Sequence, residues 1–218
     1  MSGEQLRIYV PPHPLIKHWL TLVRDVSTPM PLFRTALGEL GRWLTYEALR
    51  DWLPTQVIRV QTPLAETDAE ILDIDASLAI IPILRAGLAM VESCQSLVPA
   101  ARIYHLGYRR NEETLDATCY LDNLPKTLSS NTRILITEPM LATGGTLVSV
   151  LEDLERRGAT LGLVRVISAI AAAPALQNIG ARYGAINIYA AAIDEHLNDR
   201  GFIVPGLGDA GDRAFGTE

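Results

Sequence analysis

The chain has 218 residues, of which 48% are hydrophobic and 20% charged, a composition that excludes a disordered polymer and fits one domain of ordinary size. Nineteen Lys and Arg against 25 Asp and Glu leave a net charge of −6, so a chain-wide basic footprint for nucleic acid is absent. Two cysteines, Cys94 and Cys119, are too few for a disulfide framework; small core residues in a reducing, cytoplasmic setting are expected.

The opening MSGEQLRIYVPPHP has neither the basic nor the apolar region of a signal peptide. The longest uncharged stretch, Val166 to Ala181, falls short of the roughly 20 residues needed to span a bilayer. A soluble protein with no membrane partner is expected. Leu15, Ile16, Trp19, Leu20 and Val23 follow a 3.6-residue period and predict a first helix, which Pro29 and Pro31 bring to an end. A second helix is predicted from about Leu32 to Trp52, with Leu37, Leu40, Trp43, Leu44 and Leu49 inward. From residue 57 onward, apolar strands at 78–82, 102–106, 133–137, 163–167 and 185–189 alternate with helix-like segments near 87–97, 145–157 and 174–182. This βαβ pattern predicts an α/β fold with a mainly parallel sheet flanked by helices, whose ligands bind beyond the carboxyl ends of the strands.

The strand-to-helix junctions are therefore where chemistry is expected. The strand at 133–137 runs into Glu138, and Ala142-Thr143-Gly144-Gly145-Thr146 then opens a helix. Two glycines allow close backbone approach, unpaired N–H groups face outward, the threonines add hydroxyls, and the helix dipole favours an anion. The segment is neither a Walker loop nor G-x-G-x-x-G, which removes the main argument for a dinucleotide oxidoreductase. Glu138 can accept hydrogen bonds from vicinal hydroxyls, so the pair matches a ribose 5-phosphate. Arg85 ends an apolar strand beside Ala86 and Gly87, where a guanidinium can bind a diphosphate through two bonds. Arg109 and Arg110 stand in a polar stretch with Glu112 and Glu113 that reads as a closing loop or a solvated hairpin tip. The tail from Ile203 to Asp212 is rich in glycine and offers backbone groups at fixed spacing, suited to reading a neutral heterocycle. None of the four histidines reads as catalytic, and His196, which follows Asp194 and Glu195, has no second ligand at metal spacing.

Glu138 to Thr146 resembles the phosphoribosyl-diphosphate signature of type I phosphoribosyltransferases, and PMLATGG is similar to the version found in uracil phosphoribosyltransferases. Ile81–Met90 resembles that family's diphosphate loop and Gly201–Arg213 its C-terminal uracil loop. His13–His18, Leu44–Ala48 and Tyr108–Thr114 are also family-like, so the resemblance runs from about residue 13 to 217. It implies the type I phosphoribosyltransferase fold as a single domain: a helical arm over 1–56, a core over 57–200 and a uracil-binding hood segment over 201–218. It implies transfer of a phosphoribosyl group to uracil, with Mg²⁺ held by substrate oxygens and water rather than by side chains. Its partners would be uracil, 5-phosphoribosyl 1-diphosphate and further copies of the chain in a homodimer or larger homo-oligomer.

By the same resemblance, Arg85, Arg110 and Asp209 act in catalysis. The ribosyl diphosphate lies on Arg85, Arg110, Glu138, Pro139, Met140, Leu141, Ala142, Thr143, Gly144, Gly145, Thr146 and Asp209. Uracil lies on Ile203, Gly208, Asp209 and Ala210. A strained non-proline peptide near 84–86, with a cis bond as one form of it, is also implied. The chain departs from the pattern at Glu138, where the family usually has Asp, and at Phe202, where Tyr is common. The longer carboxylate predicts a shifted loop or a displaced ribose. It also leaves open the alternative of a nucleotide-binding regulator with weak or no turnover.

Overall fold

The computed structural model describes residues 5–73, 75–110 and 117–217, apart from the side chains of Arg110 and Ala117. In chain order its elements are β1 (Arg7–Tyr9), α1 (Pro14–Arg24), α2 (Met30–Leu49), β2 (Thr55–Gln61), β3 (Glu66–Leu72), β4 (Leu78–Leu84), α3 (Leu88–Gln95), β5 (Arg102–Ile103), β6 (Leu106–Arg110) and β7 (Ala117–Asp122), followed by β8 (Arg133–Thr137), β9 (Met140–Leu141), α4 (Gly145–Arg156), β10 (Val164–Ala172), α5 (Ala173–Arg182), β11 (Asn187–Asp194), β12 (His196–Leu197), β13 (Ile203–Val204) and α6 (Ala210–Phe215).

The central sheet has the order β1-β11-β10-β8-β4-β6-β7, with β5 beside β4 and β9 beside β10. Every pairing in it is parallel except β6 with β7. All nine residues of β10 are buried, as expected of a strand covered on both faces. One face packs on α2 through Phe33, Leu37, Leu40 and Leu44 and on Met90 of α3. The other packs on Leu147, Val150, Leu151 and Leu154 of α4 and Ile179 of α5. The helix periods dictate this arrangement: Ile16 and Val23 form the buried stripe of α1, whose start is set by Pro14 and by the His13 ring accepting the Leu15 N–H at 3.1 Å. Among the described residues, no helix is long and apolar enough to cross a membrane.

Several elements differ from expectation. The strand expected at 102–106 is interrupted after Ile103, and its second part continues to Arg110. The strands expected at 163–167 and 185–189 begin one to two residues later and extend to Ala172 and Asp194, because the buried run continues. The antiparallel ribbon of β2 and β3 was not expected; almost every residue of it is exposed, so no core face imposes an apolar period. The tail is not all loop: Asp209 caps the short helix α6, which ends at Gly216 in the left-handed region at φ 66°. Six residues are too few to show a helical period. Cys94 is buried, its thiol pushed up to about 12 by burial, whereas Cys119 is exposed rather than in the core.

The topology fixes the place of the site. The chain leaves β4 on one side to build β6 and β7, then returns to the other side of β4 to build β8. The order therefore reverses between β4 and β8, and a crevice opens where their carboxyl ends diverge. Arg85 follows β4 and Glu138 follows β8.

Candidate active site at the strand ends

A cleft of about 660 Å³ opens at this reversal. Ile83, Leu84, Arg85 and Ala86 line it from the end of β4, and Tyr108, Arg109 and Tyr120 from β6 and β7. Glu138, Thr146, Asp209 and Gly211 complete the wall. A smaller hollow of about 140 Å³ is lined by Glu138 and by Met140 through Leu147, so Glu138 and Thr146 border both spaces.

The small hollow has the shape expected of an anion cradle. Gly144 adopts φ 79°, and a Cβ there would lie 3.0 Å from the Ala175 carbonyl oxygen, so a side chain is excluded on two counts. The first α4 bond runs from the Val148 N–H to the Gly144 carbonyl at 2.9 Å, which leaves the first-turn N–H groups of Thr146 and Leu147 for a ligand, while the Gly145 N–H makes a long bond of 3.5 Å to the Thr143 hydroxyl oxygen. The Asn178 side-chain amide donates to the Thr143 carbonyl at 3.0 Å and fixes the turn from α5.

Arg85 follows a cis Leu84–Arg85 peptide. Its guanidinium is 52% exposed, lies 2.8 Å from the Asp212 carboxylate and donates to the Thr217 hydroxyl at 2.9 Å. The Thr217 hydroxyl and then Arg85 hold the Asp212 carboxyl below its usual range. An ion pair this exposed is worth about 0–1 kcal/mol, so a diphosphate can displace Asp212 at small cost. Thr137 donates to the Gly87 carbonyl at 2.9 Å and ties the end of β8 to the Arg85 loop.

Glu138 keeps part of its surface in the two hollows, so a ligand can reach it. Burial nevertheless pushes its pKa up to about 8, opposed only weakly by a backbone hydrogen bond from Met140. Burial thus disfavours the ionised form of the acceptor expected for a ribose diol.

The structure gathers Arg85, Glu138, Thr146 and Asp209 in the cleft, and Met140, Leu141, Ala142, Thr143, Gly144 and Gly145 in the adjoining hollow. Pro139 is buried and faces neither; its carbonyl accepts the Ile170 N–H at 3.0 Å. Ile203 and Ala210 are buried in the core, which leaves only their backbones for a ligand, and Gly208 is exposed nearby. The side chain of Arg110, like Glu112 and Glu113, lies outside the described residues; Arg109 lines the cleft. Phe202 is exposed and does not line the cleft. Sequence reading missed Tyr120 and the partners Asp212 and Thr217. Tyr120 has no partner of its own in β6, because the register passes from Leu121 opposite Gly107 to Cys119 opposite Tyr108, and no sequence signal marks such a bulge.

A cleft at a parallel-sheet reversal, lined by Arg85, Glu138 and Asp209 and adjoining a glycine-rich helix start, is the arrangement expected of a phosphoribosyltransferase. The fold agrees: a solved adenine phosphoribosyltransferase from Leishmania donovani matches with a TM-score of 0.55 at 15% identity, covering 88% of this chain and 85% of that one. A solved protein from Aquifex aeolicus matches with a TM-score of 0.87 at 38% identity, over 95% of this chain and 97% of that one. The uracil phosphoribosyltransferase family model matches residues 10–217. The uracil phosphoribosyltransferase of Synechococcus elongatus is 61% identical over 215 residues, 99% of each chain. The chain belongs to the uracil phosphoribosyltransferase family.

Proposed function

We propose that the cleft between the ends of β4 and β8 is where this chain carries out the reaction of its family: uracil and 5-phosphoribosyl 1-diphosphate give UMP and diphosphate, a pyrimidine-salvage step. The observation that carries the reading is the position of Glu138, shared by the anion cradle on one side and the wider arginine-bearing cleft on the other. A ribose there has its 5-phosphate on α4 and its diphosphate toward Arg85.

The reaction needs no covalent nucleophile. Uracil N1 forms a bond to ribose C1 as the bond from C1 to the diphosphate oxygen breaks, and the uracil N1 proton is lost. The protein's part is to align these atoms and to stabilise charge on the leaving group through Arg85 and Arg110, with Asp209 at the cleft wall. Asp209 at the cleft wall fits a Mg²⁺ that would be carried mainly by substrate oxygens and water. Such an ion offsets negative charge on the diphosphate.

Uracil is read by the backbone of residues 203–210. Among the described residues, the N–H groups of Gly208 and Asp209 meet no acceptor, which leaves them for the carbonyls of the base. Cytosine carries a donor at position 4 and an acceptor at N3, so the same edge leaves mismatched polar groups. In a steady-state assay with labelled bases, uracil is expected to be converted to UMP with a kcat/KM at least a hundredfold above that for cytosine. Equal values would overturn the backbone reading. Binding without turnover of uracil would restore the regulator alternative, which family membership does not favour.

Residues 1–56 and 201–218 serve in this reading as an arm and a hood around the core. The exposed ribbon of β2 and β3, with Val57 71% and Leu64 96% exposed, supports a homo-oligomer, because a two-stranded ribbon is marginal alone in water. The free thiols of Cys94 and Cys119 support a reducing cytoplasmic setting.

A further inference from the structure

The segment assigned to uracil is held from behind by groups that no step of the reaction uses. Asp194, at the carboxyl end of β11, is 6% exposed. Arg24, in the last turn of α1, reaches it through two bonds, Nη1 to Oδ2 at 2.9 Å and Nη2 to Oδ1 at 2.7 Å. The same Arg24 Nη1 donates to the Gly206 carbonyl at 2.9 Å, and the Gly206 N–H donates to Asp194 Oδ2 at 2.9 Å. Both backbone polar groups of Gly206 are thus fixed by one ion pair. Gly206 itself sits at φ 61°, and a Cβ there would lie 2.1 Å from the Ile203 carbonyl oxygen. The next carbonyl, that of Leu207, accepts from Arg213 Nη1 at 2.7 Å. Arg213 also donates to the carbonyls of Val23 at 2.5 Å and Asp25 at 2.6 Å, and its guanidinium lies 4.2 Å from the centre of the Phe33 ring.

We propose that Arg24, Asp194 and Arg213 are positioning residues for base recognition: two guanidiniums anchored on the end of α1 and on Asp194 take the carbonyls of Gly206 and Leu207, and so set the spacing of the N–H groups that follow at Gly208–Ala210. The proposal rests on reading residues 203–210 as the uracil-recognising segment. A backbone edge discriminates bases only if it cannot rotate to suit another pattern, and this one is immobilised at the two residues immediately before it. The bidentate fork matters more than the charge, because a lysine ammonium can stand in for Nη1 but leaves Asp194 Oδ1 without the Nη2 bond that fixes the plane of the pair.

The test is a comparison of Arg24→Lys and Asp194→Asn with the unsubstituted enzyme, measuring KM for uracil, KM for 5-phosphoribosyl 1-diphosphate, kcat and the uracil-to-cytosine ratio. Both variants are expected to raise the uracil KM about tenfold or more and to lower the base ratio, while the ribosyl-diphosphate KM stays within about twofold. If the cluster only stabilises the fold, Tm and the active fraction fall while both KM values and the base ratio stay put, and the proposal is overturned. Gly208→Ala separates this failure from failure of the underlying reading. If Gly208→Ala raises the uracil KM and the two cluster variants do not, positioning is wrong and the segment assignment stands. If none of the three raises it, both are wrong. Should Asp194→Asn fail to fold, Arg24→Ala with millimolar guanidinium added gives a second route, since the Arg24 side chain is 25% exposed and open to an exogenous ion. Recovery of the uracil KM on addition supports the proposal, and an unchanged KM contradicts it.

Discussion

Arg85→Ala is expected to lower kcat/KM for 5-phosphoribosyl 1-diphosphate by about a thousandfold. A charge-assisted hydrogen bond contributes about 1.5–3 kcal/mol, so the two bonds of a guanidinium fork give roughly 3–6 kcal/mol, or two to four decades in rate. The leaving diphosphate gains charge as its bond to ribose C1 breaks, so much of the loss should fall in kcat rather than in KM. Stability should hardly move, because the ligand-free partner of Arg85 is the half-exposed pair with Asp212 at 2.8 Å. Steady-state kinetics and a thermal melt on the same preparation separate the two effects. A loss below tenfold in kcat/KM would make Arg85 a surface partner of Asp212 and nothing more.

The second large effect is at Glu138. Glu138→Ala should cost 10- to 100-fold in kcat/KM, about one or two hydrogen bonds to a charged acceptor, while Glu138→Asp should keep or improve affinity for the ribosyl diphosphate. The pH dependence follows from burial, which raises the carboxyl to about 8. The unfolded chain ionises this group at its ordinary value, so the ligand-free protein loses stability as pH rises through that value and up through about 8. Ribose hydroxyls donate best to the ionised form, so binding at pH 7 should expel a proton. Relative to Glu138→Gln, the unsubstituted protein should release additional protons on binding at pH 7, measured by calorimetry in buffers of different ionisation enthalpy. Its affinity should tighten more steeply between pH 6 and 8. Identical proton counts for the two proteins would mean that Glu138 keeps its proton or faces away from the ribose.

Much of this site was legible in the sequence, because Arg85, Glu138 and the Ala142–Thr146 turn each follow directly on an apolar strand. A strand end is a local feature, and a parallel sheet brings such ends together without further information. The contacts that shape the site are not local. Asp212 and Arg85 are 127 positions apart, and Arg24 and Asp194 are 170 apart, so no spacing rule connects them. The elevated Glu138 pKa was equally hidden, since it depends on what surrounds the carboxyl rather than on its neighbours in the chain. The β2–β3 ribbon escaped for the opposite reason: with nearly every side chain exposed, its residues carry no imprint of a core.

The central claim is that one ribose bridges the α4 cradle and the Arg85 cleft, with Glu138 between them. A crystal structure with UMP bound tests it most directly. The account predicts the 5′-phosphate within hydrogen-bond distance of the Thr146 and Leu147 N–H groups, the ribose hydroxyls on the Glu138 carboxylate and the uracil edge on the backbone of Gly208–Ala210. A base seated in the 142–146 hollow, or a Glu138 carboxylate beyond reach of both hydroxyls with no bridging water, would contradict it.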